Sequence, residues 1–130
     1  IIGCDIKTLS LTRGTFGHIL IDNCKIGDLS FMGVYVPNGL VIKNCHFMDE
    51  AWFESDGYNF ENSEIIIKNN VFEKGLTFCD SVFKGPFHLL NNHFKGGTDI
   101  LYKNQLEPSF NVPPIIEGNT GDLKKQIIPE

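Results

Sequence analysis

The sequence predicts an all-β chain wound as a right-handed parallel β-helix of about six coils, each of 20–27 residues. Three observations carry that prediction. The phrases "LVIKNCHF" (40–47), "EIIIKNNVF" (64–72) and "FHLLNNHF" (87–94) write one pattern three times. The same kinds of side chain recur at matching places along the chain. Within each segment apolar and polar residues alternate with a period of two, as half-buried strands require.

The repeat is anchored at Gly3, Asn23, Asn44, Asn69 and Asn91, with steps of 20, 21, 25 and 22 residues, and a weaker copy is anchored at Gly118 after 27. Two residues before the anchor stand Ile21, Ile42, Ile67, Leu89 and Ile116; four before it stand Ile19, Leu40, Ile65 and Phe87. One after it come Cys4, Cys24, Cys45, Asn70, Asn92 and Asn119, and three after it Ile6, Ile26, Phe47, Phe72 and Phe94. A second alternating pair follows: Leu9/Leu11, Leu29/Phe31, Ala51/Phe53, Leu76/Phe78 and Thr98/Ile100. Gly, Asn and Asp fill the gaps, where turns belong. The segments are too short for helices and hold no 3.6-residue period. A sandwich of hairpins has no reason to repeat one side chain every ~21 residues, whereas a coil stacked in parallel on copies of itself does.

A half-period runs through residues 69–101, which divide into three 11-residue units, "NNVFEKGLTFC", "DSVFKGPFHLL" and "NNHFKGGTDIL", with Phe72, Phe83 and Phe94 at the fourth place of each. This accounts for eleven Phe against three Tyr and one Trp. Interior aromatic rings stack coil on coil and fill the tube.

At 130 residues the chain suits a single domain, with residues 1–121 forming the β-helix and 122–130 a C-terminal tail. The net charge is −5 and Arg13 is the only arginine. That balance argues against nucleic acid, which needs a basic face. No apolar run reaches the ~18 residues of a membrane span, and no signal-peptide or lipobox pattern is present. The chain begins at Ile1, so it reads as processed, trimmed or part of something longer. Unpaired cysteines favour a reducing, cytoplasmic setting; a processed N-terminus would point to a secreted or cell-surface one.

Ile65-Ile66-Ile67-Lys68-Asn69-Asn70-Val71-Phe72 resembles the short repeat "I-x-I-x-N-N-x-F" of the pectate-lyase-like right-handed parallel β-helix superfamily, in which the Asn pair forms a turn ladder. The half-coils Phe83-Lys84-Gly85 and Phe94-Lys95-Gly96 also resemble divergent pentapeptide-repeat proteins, themselves right-handed β-helices. The resemblance covers residues 2–121 and implies a fold more than an activity, because such folds host lyases, hydrolases, adhesins and stalks. The lyases use acidic calcium ligands and a basic Arg or Lys on a longer helix. No matching set stands here, so no catalytic residue is carried over.

The cysteine column contains no C-x₂-C pair and does not read as a zinc site. It reads as a stack of small side chains at a turn or inner wall, with free thiols, and Cys79 stands alone. His46 and His93 share a column two coils apart, roughly 10 Å, too far to share a metal, and with His18 and His88 they read as surface residues. The 25-residue coil is the distinctive one. Its residues 48–58 gather Asp49, Glu50, Trp52, Glu54, Asp56 and Tyr58. Carboxylates beside an aromatic plate suit a sugar, whose hydroxyls bond to acid oxygens while its C–H face stacks on the ring. Carboxylates alone suit Ca²⁺, although no D-x-[DN]-x-[DN]-G loop occurs. Glu50 and Glu54 are a glycosidase pair only if their separation allows it. No P-loop, G-x-S-x-G or H-E-x-x-H is present.

A β-helix leaves strand edges open at its ends. The prolines of "LEPSFNVPP" make a C-terminal cap. At the N-terminus the repeat runs from Ile2, which leaves two readings: a short cap outside this chain, or a rod that continues or pairs end to end with another copy. Three function classes follow. The first is a non-catalytic structural or ligand-presenting module, with no cofactor and with a polysaccharide or a protein as partner. The second is a carbohydrate-binding or carbohydrate-active protein of lyase or hydrolase type, with Ca²⁺ as its ion. The third is an acidic DNA-mimic inhibitor of pentapeptide-repeat type, which needs a dimer and an unbroken acidic stripe; Lys25, Lys43, Lys68, Lys84 and Lys95 interrupt such a stripe. Self-association would be end to end or side by side.

Overall fold

In the computed structural model, residues 1–54, 56–57 and 59–127 are described, with Asp56 and Gly57 described for their backbone only. The strands are β1 (Asp5–Thr15), β2 (Ile19–Asp22), β3 (Lys25–Tyr35), β4 (Leu40–Lys43), β5 (His46–Phe47) and β6 (Ala51–Glu54). They continue with β7 (Asp56–Gly57), β8 (Ile65–Lys68), β9 (Val71–Phe72), β10 (Leu76–Thr77) and β11 (Ser81–Phe83). The last are β12 (Phe87–Leu90), β13 (His93–Phe94), β14 (Ser109–Phe110), β15 (Ile115–Glu117) and β16 (Thr120–Gly121). Among the described residues there is no helix, and none long and apolar enough to cross a membrane.

The strands form three sheets running along a solenoid: β2-β4-β8-β12-β15; a second built on β1, β3, β5, β6, β9, β10, β13 and β16; and β7-β11-β14. The pairings between them are parallel and bring residues one coil apart into register, such as Ile21 with Ile42, Ile42 with Ile67, and Ile67 with Leu89. The first sheet has five strands and therefore four full turns from end to end, flanked by incomplete ones. The six anchors counted in the sequence thus overstate the coils, because the outermost two lie in partial turns. At the N-terminal end Ile2 makes only an isolated bridge to Asp22.

The anchors explain themselves in the backbone. Gly3, Asn23, Asn44, Asn69, Asn91 and Gly118 all have φ between +55° and +71°. This left-handed corner turns the chain from one sheet to the next, and only Gly and Asn enter it at low cost. At Gly118 a Cβ would also lie 2.0 Å from Asn91 Oδ1, so the last anchor has to be glycine.

One residue after each corner, a polar ladder rises through the interior. The Asn70 backbone N–H donates to Asn92 Oδ1 (3.1 Å), and that of Asn92 donates to Asn119 Oδ1 (2.9 Å). The Cys45 N–H donates to Asn70 Oδ1 (2.9 Å). The amide groups donate back to the coil before, Asn70 Nδ2 to Ile42 O, Asn92 Nδ2 to Ile67 O and Asn119 Nδ2 to Leu89 O at 2.8–3.0 Å, and Asn70 and Asn92 Nδ2 also donate to the next Asn Oδ1 at 3.0 and 3.1 Å. Each buried amide is therefore satisfied by the coils on either side, the condition under which polar groups tolerate burial. Toward the N-terminus thiols take over the column. Cys24 and Cys45 are buried, Cys4 is exposed, and all are free. Burial pushes the Cys45 thiol up to about 11.

The rings stack as the columns require. Phe47, Phe72 and Phe94 lie with centroids 4.7 and 5.1 Å apart and planes within 14°. Phe53 stacks on Phe78 at 5.2 Å and Phe83 on Phe110 at 5.3 Å. The separations match the ~4.8 Å spacing of the strands that carry them.

The long coil is not one insertion. Ala51–Glu54 is an ordinary rung, with Ala51 and Phe53 buried and paired to Leu29 and Phe31. The register places one extra residue between Phe47 and Ala51 and three between Glu54 and Ile65, relative to the coil before. The latter are absorbed by a turn closed on buried Asn59, whose Nδ2 donates to Ser63 O (2.8 Å) while its Oδ1 accepts from Gly85 N–H (3.2 Å). A Cβ on Gly85 would lie 2.1 Å from Phe60 O. The tail is also tied to the rod: Thr98 N–H donates to Asp122 O, Leu101 N–H to Leu123 O, and Lys125 N–H to Thr98 O. Residues 128–130 of the tail lie outside the described residues.

Phe72→Ala is expected to lower unfolding free energy by ~3–5 kcal/mol in a denaturant titration, as a large-to-small change in a packed stack. Gly85→Ala is expected to lower the thermal midpoint, because the Asn59 turn must move away. Asp99 is buried, and desolvation raises its pKa despite hydrogen bonds from Thr77 Oγ1 and Phe78 N–H. A carboxyl whose folded pKa lies above its unfolded one stabilises fully below the unfolded value and loses that contribution as pH rises through the folded value. Thermal melts across the acid range should show that loss in the wild type and a smaller one in Asp99→Asn.

Candidate groove around Trp52

The outer face of the second sheet carries the distinctive surface. Ser30 and Trp52 are register partners on β3 and β6, flanked by buried Leu29, Phe31, Ala51 and Phe53, so both side chains point outward. Beside them the turns from β5 to β6 and from β9 to β10 bring up Glu50 and Lys74. The result is an open groove of about 470 Å³ lined by Asp28, Ser30, Asp49, Glu50, Trp52 and Lys74, with Leu29 at its floor.

Neighbouring bonds set its edges. Trp52 Nε1–H donates to Glu50 Oε2 (3.3 Å), which holds the indole beside a carboxylate. Asp28, which lines the groove, accepts from Thr8 Oγ1 at Oδ1 (2.7 Å). Three carboxylates against one lysine leave the groove negative. On the next stretch of the face, Glu73 accepts from His46 Nε2 (2.8 Å) and lies 3.0 Å from Lys95 Nζ. These partners hold its carboxyl below the usual range, His46 first. In this partly exposed trio His46 is a surface hydrogen-bond partner of Glu73. His88 differs from the surface reading: its Nε2 is buried and has no hydrogen-bond partner.

Comparison with family models, curated proteins and solved structures returns no match to the chain. The fold therefore rests on the chain's own strand pairing, and the groove on its own geometry.

Of the residues singled out from the sequence, Asp49, Glu50 and Trp52 come together. Glu54 does not line the groove; it sits two residues further along β6 from Trp52, where its charge acts on Cys79. The Asp56 side chain and Tyr58 lie outside the described residues. Glu50 lies in the turn before β6 and Glu54 at its last residue, four residues on. Among the described residues, no three His, Cys, Asp or Glu side chains converge as a metal site requires. Asp28, Ser30 and Lys74 were not singled out from the sequence, because they reach the groove from adjacent coils. The repeat register was their signal, since Ser30 shares the column of Trp52.

Trp52→Ala is expected to change unfolding free energy by no more than about 1 kcal/mol, as an outward-facing substitution. A loss equal to that of Phe72→Ala in the same titration would place the indole in the core instead.

Proposed function

We propose that this protein is a non-catalytic β-solenoid module that presents the Trp52 groove to a ligand. The observation that carries the reading is the groove itself, an aromatic plate flanked by Asp28, Asp49, Glu50 and Lys74 on the outside of a stacked sheet. A rod whose coils lock one another is a rigid platform, and a groove on a regular sheet face loses little freedom on binding.

The ligand class favoured by this lining is a saccharide. Its apolar C–H face would stack on the indole, its hydroxyls would donate to the carboxylates, and the Lys74 ammonium would donate to a hydroxyl or acidic-sugar oxygen. Kinship with pectate-lyase-like β-helices and pentapeptide-repeat half-coils is part of the same proposal and rests on the repeat phrases alone. A glycan-array screen of the wild type and Trp52→Ala, with and without Ca²⁺, tests it. Binding by the wild type that is lost in the variant supports the saccharide groove. Binding that survives in Trp52→Ala, or a blank array, removes it.

A further inference from the structure

We propose that the Trp52 groove is one section of a longer cleft, and that its ligand is an uncharged linear oligosaccharide laid along the rod, with Lys125 and Gln126 holding the units beyond Trp52. The inference rests on the saccharide reading of the groove. A second cavity of about 300 Å³ has a lining that includes Glu50, Lys74, Gly75, Lys125, Gln126 and Ile127. Glu50 and Lys74 line both cavities, so the two are continuous. The cleft follows the stacking direction. Leu29 N–H donates to Glu50 O, Ala51 N–H to Gly75 O and Leu76 N–H to Gly97 O. Asp28, Glu50 and Gly75, with Gly96 beside Gly97, therefore stand on four successive coils. Three steps of ~4.8 Å give a length of roughly 14 Å, beyond the reach of one sugar ring.

Glycines let the tail build the far part of this cleft. A Cβ on Gly75 would lie 3.0 Å from Ile127 Cδ1, and one on Gly97 would lie 2.6 Å from Lys125 Cδ. Lys125 is tied down twice, its N–H donating to Thr98 O (3.1 Å) and its Nζ to Gly96 O (3.1 Å). An ammonium carries three donors, so Lys125 can also serve a sugar hydroxyl. Gln126 is exposed and adds both a donor and an acceptor. Charge narrows the class. Across both cavities the lining sets Asp28, Asp49, Glu50 and Glu73 against Lys74 and Lys125. Carboxylates outnumber ammonium groups, which repels a polyanionic chain. Lys74 and Lys125 stand where a polycationic chain would have to pass. Sugar hydroxyls suit both, since they donate to carboxylates and accept from lysines.

The test is calorimetric titration of the full chain with neutral gluco-, xylo-, manno- and galacto-oligosaccharides, each from disaccharide to hexasaccharide, with oligogalacturonates and glucosamine oligomers as charged controls. For the neutral series that binds, Kd should fall about tenfold from disaccharide to hexasaccharide, as one or two added hydrogen bonds supply. The double variant Lys125→Ala/Gln126→Ala should lose that gain and keep the disaccharide affinity, whereas Trp52→Ala should lose binding at every length. Lys125 and Gln126 are exposed, so the double variant should fold, which circular dichroism checks. If binding depends on Trp52 but does not tighten with length, or the double variant keeps the gain, the extended cleft is wrong and the saccharide groove stands. Charged oligomers that bind as tightly as neutral ones overturn the uncharged class. No binding by any series at any length overturns the groove reading and this inference with it.

Discussion

Everything in this rod depends on the left-handed corner and the ladder that starts one residue beyond it. The corner fixes where each coil turns. The ladder then connects neighbouring coils through buried Asn70 and Asn92 and half-buried Asn119, whose side chains bond back to the coil before while the backbone N–H groups of Asn70 and Asn92 donate to the coil after. Neither feature works alone. A corner without the ladder would leave buried N–H groups unpaired, and an asparagine in the ladder without the corner would point elsewhere. Because register is set here, like side chains stack on like, and the phenylalanine columns follow.

This dependence explains why so much of the fold was legible in the chain. The anchors stand out because few residues accept positive φ, so the same two recur. The phenylalanines stand out because a stack of parallel rings wants the same ring at each level. What the sequence obscured is where the periodicity has slack. The partial turns at the ends carry anchors without complete coils. The extra residues of the long coil fell into two places, because the strand Ala51–Glu54 had to stay in register with β3. His88 looked like a surface residue by its place in the repeat, although its Nε2 is buried.

The groove was half legible for a related reason. Asp49, Glu50 and Trp52 are neighbours in the chain, and their chemistry announced itself. Asp28 and Lys74 come from the coils before and after, and only the register turns them into neighbours. Glu54, close to Trp52 in sequence, follows the strand away from the groove. A solenoid thus builds surfaces from columns rather than segments.

The most direct test of the ladder is amide hydrogen exchange at Cys45, Asn70 and Asn92. Their N–H groups are held only by side-chain oxygens of the next coil. If those bonds lock the stack, these amides exchange as slowly as the interior strand amides of Ile67 and Leu89. Exchange at the rate of an exposed turn would contradict the account, because the corners would then be open and the register set elsewhere.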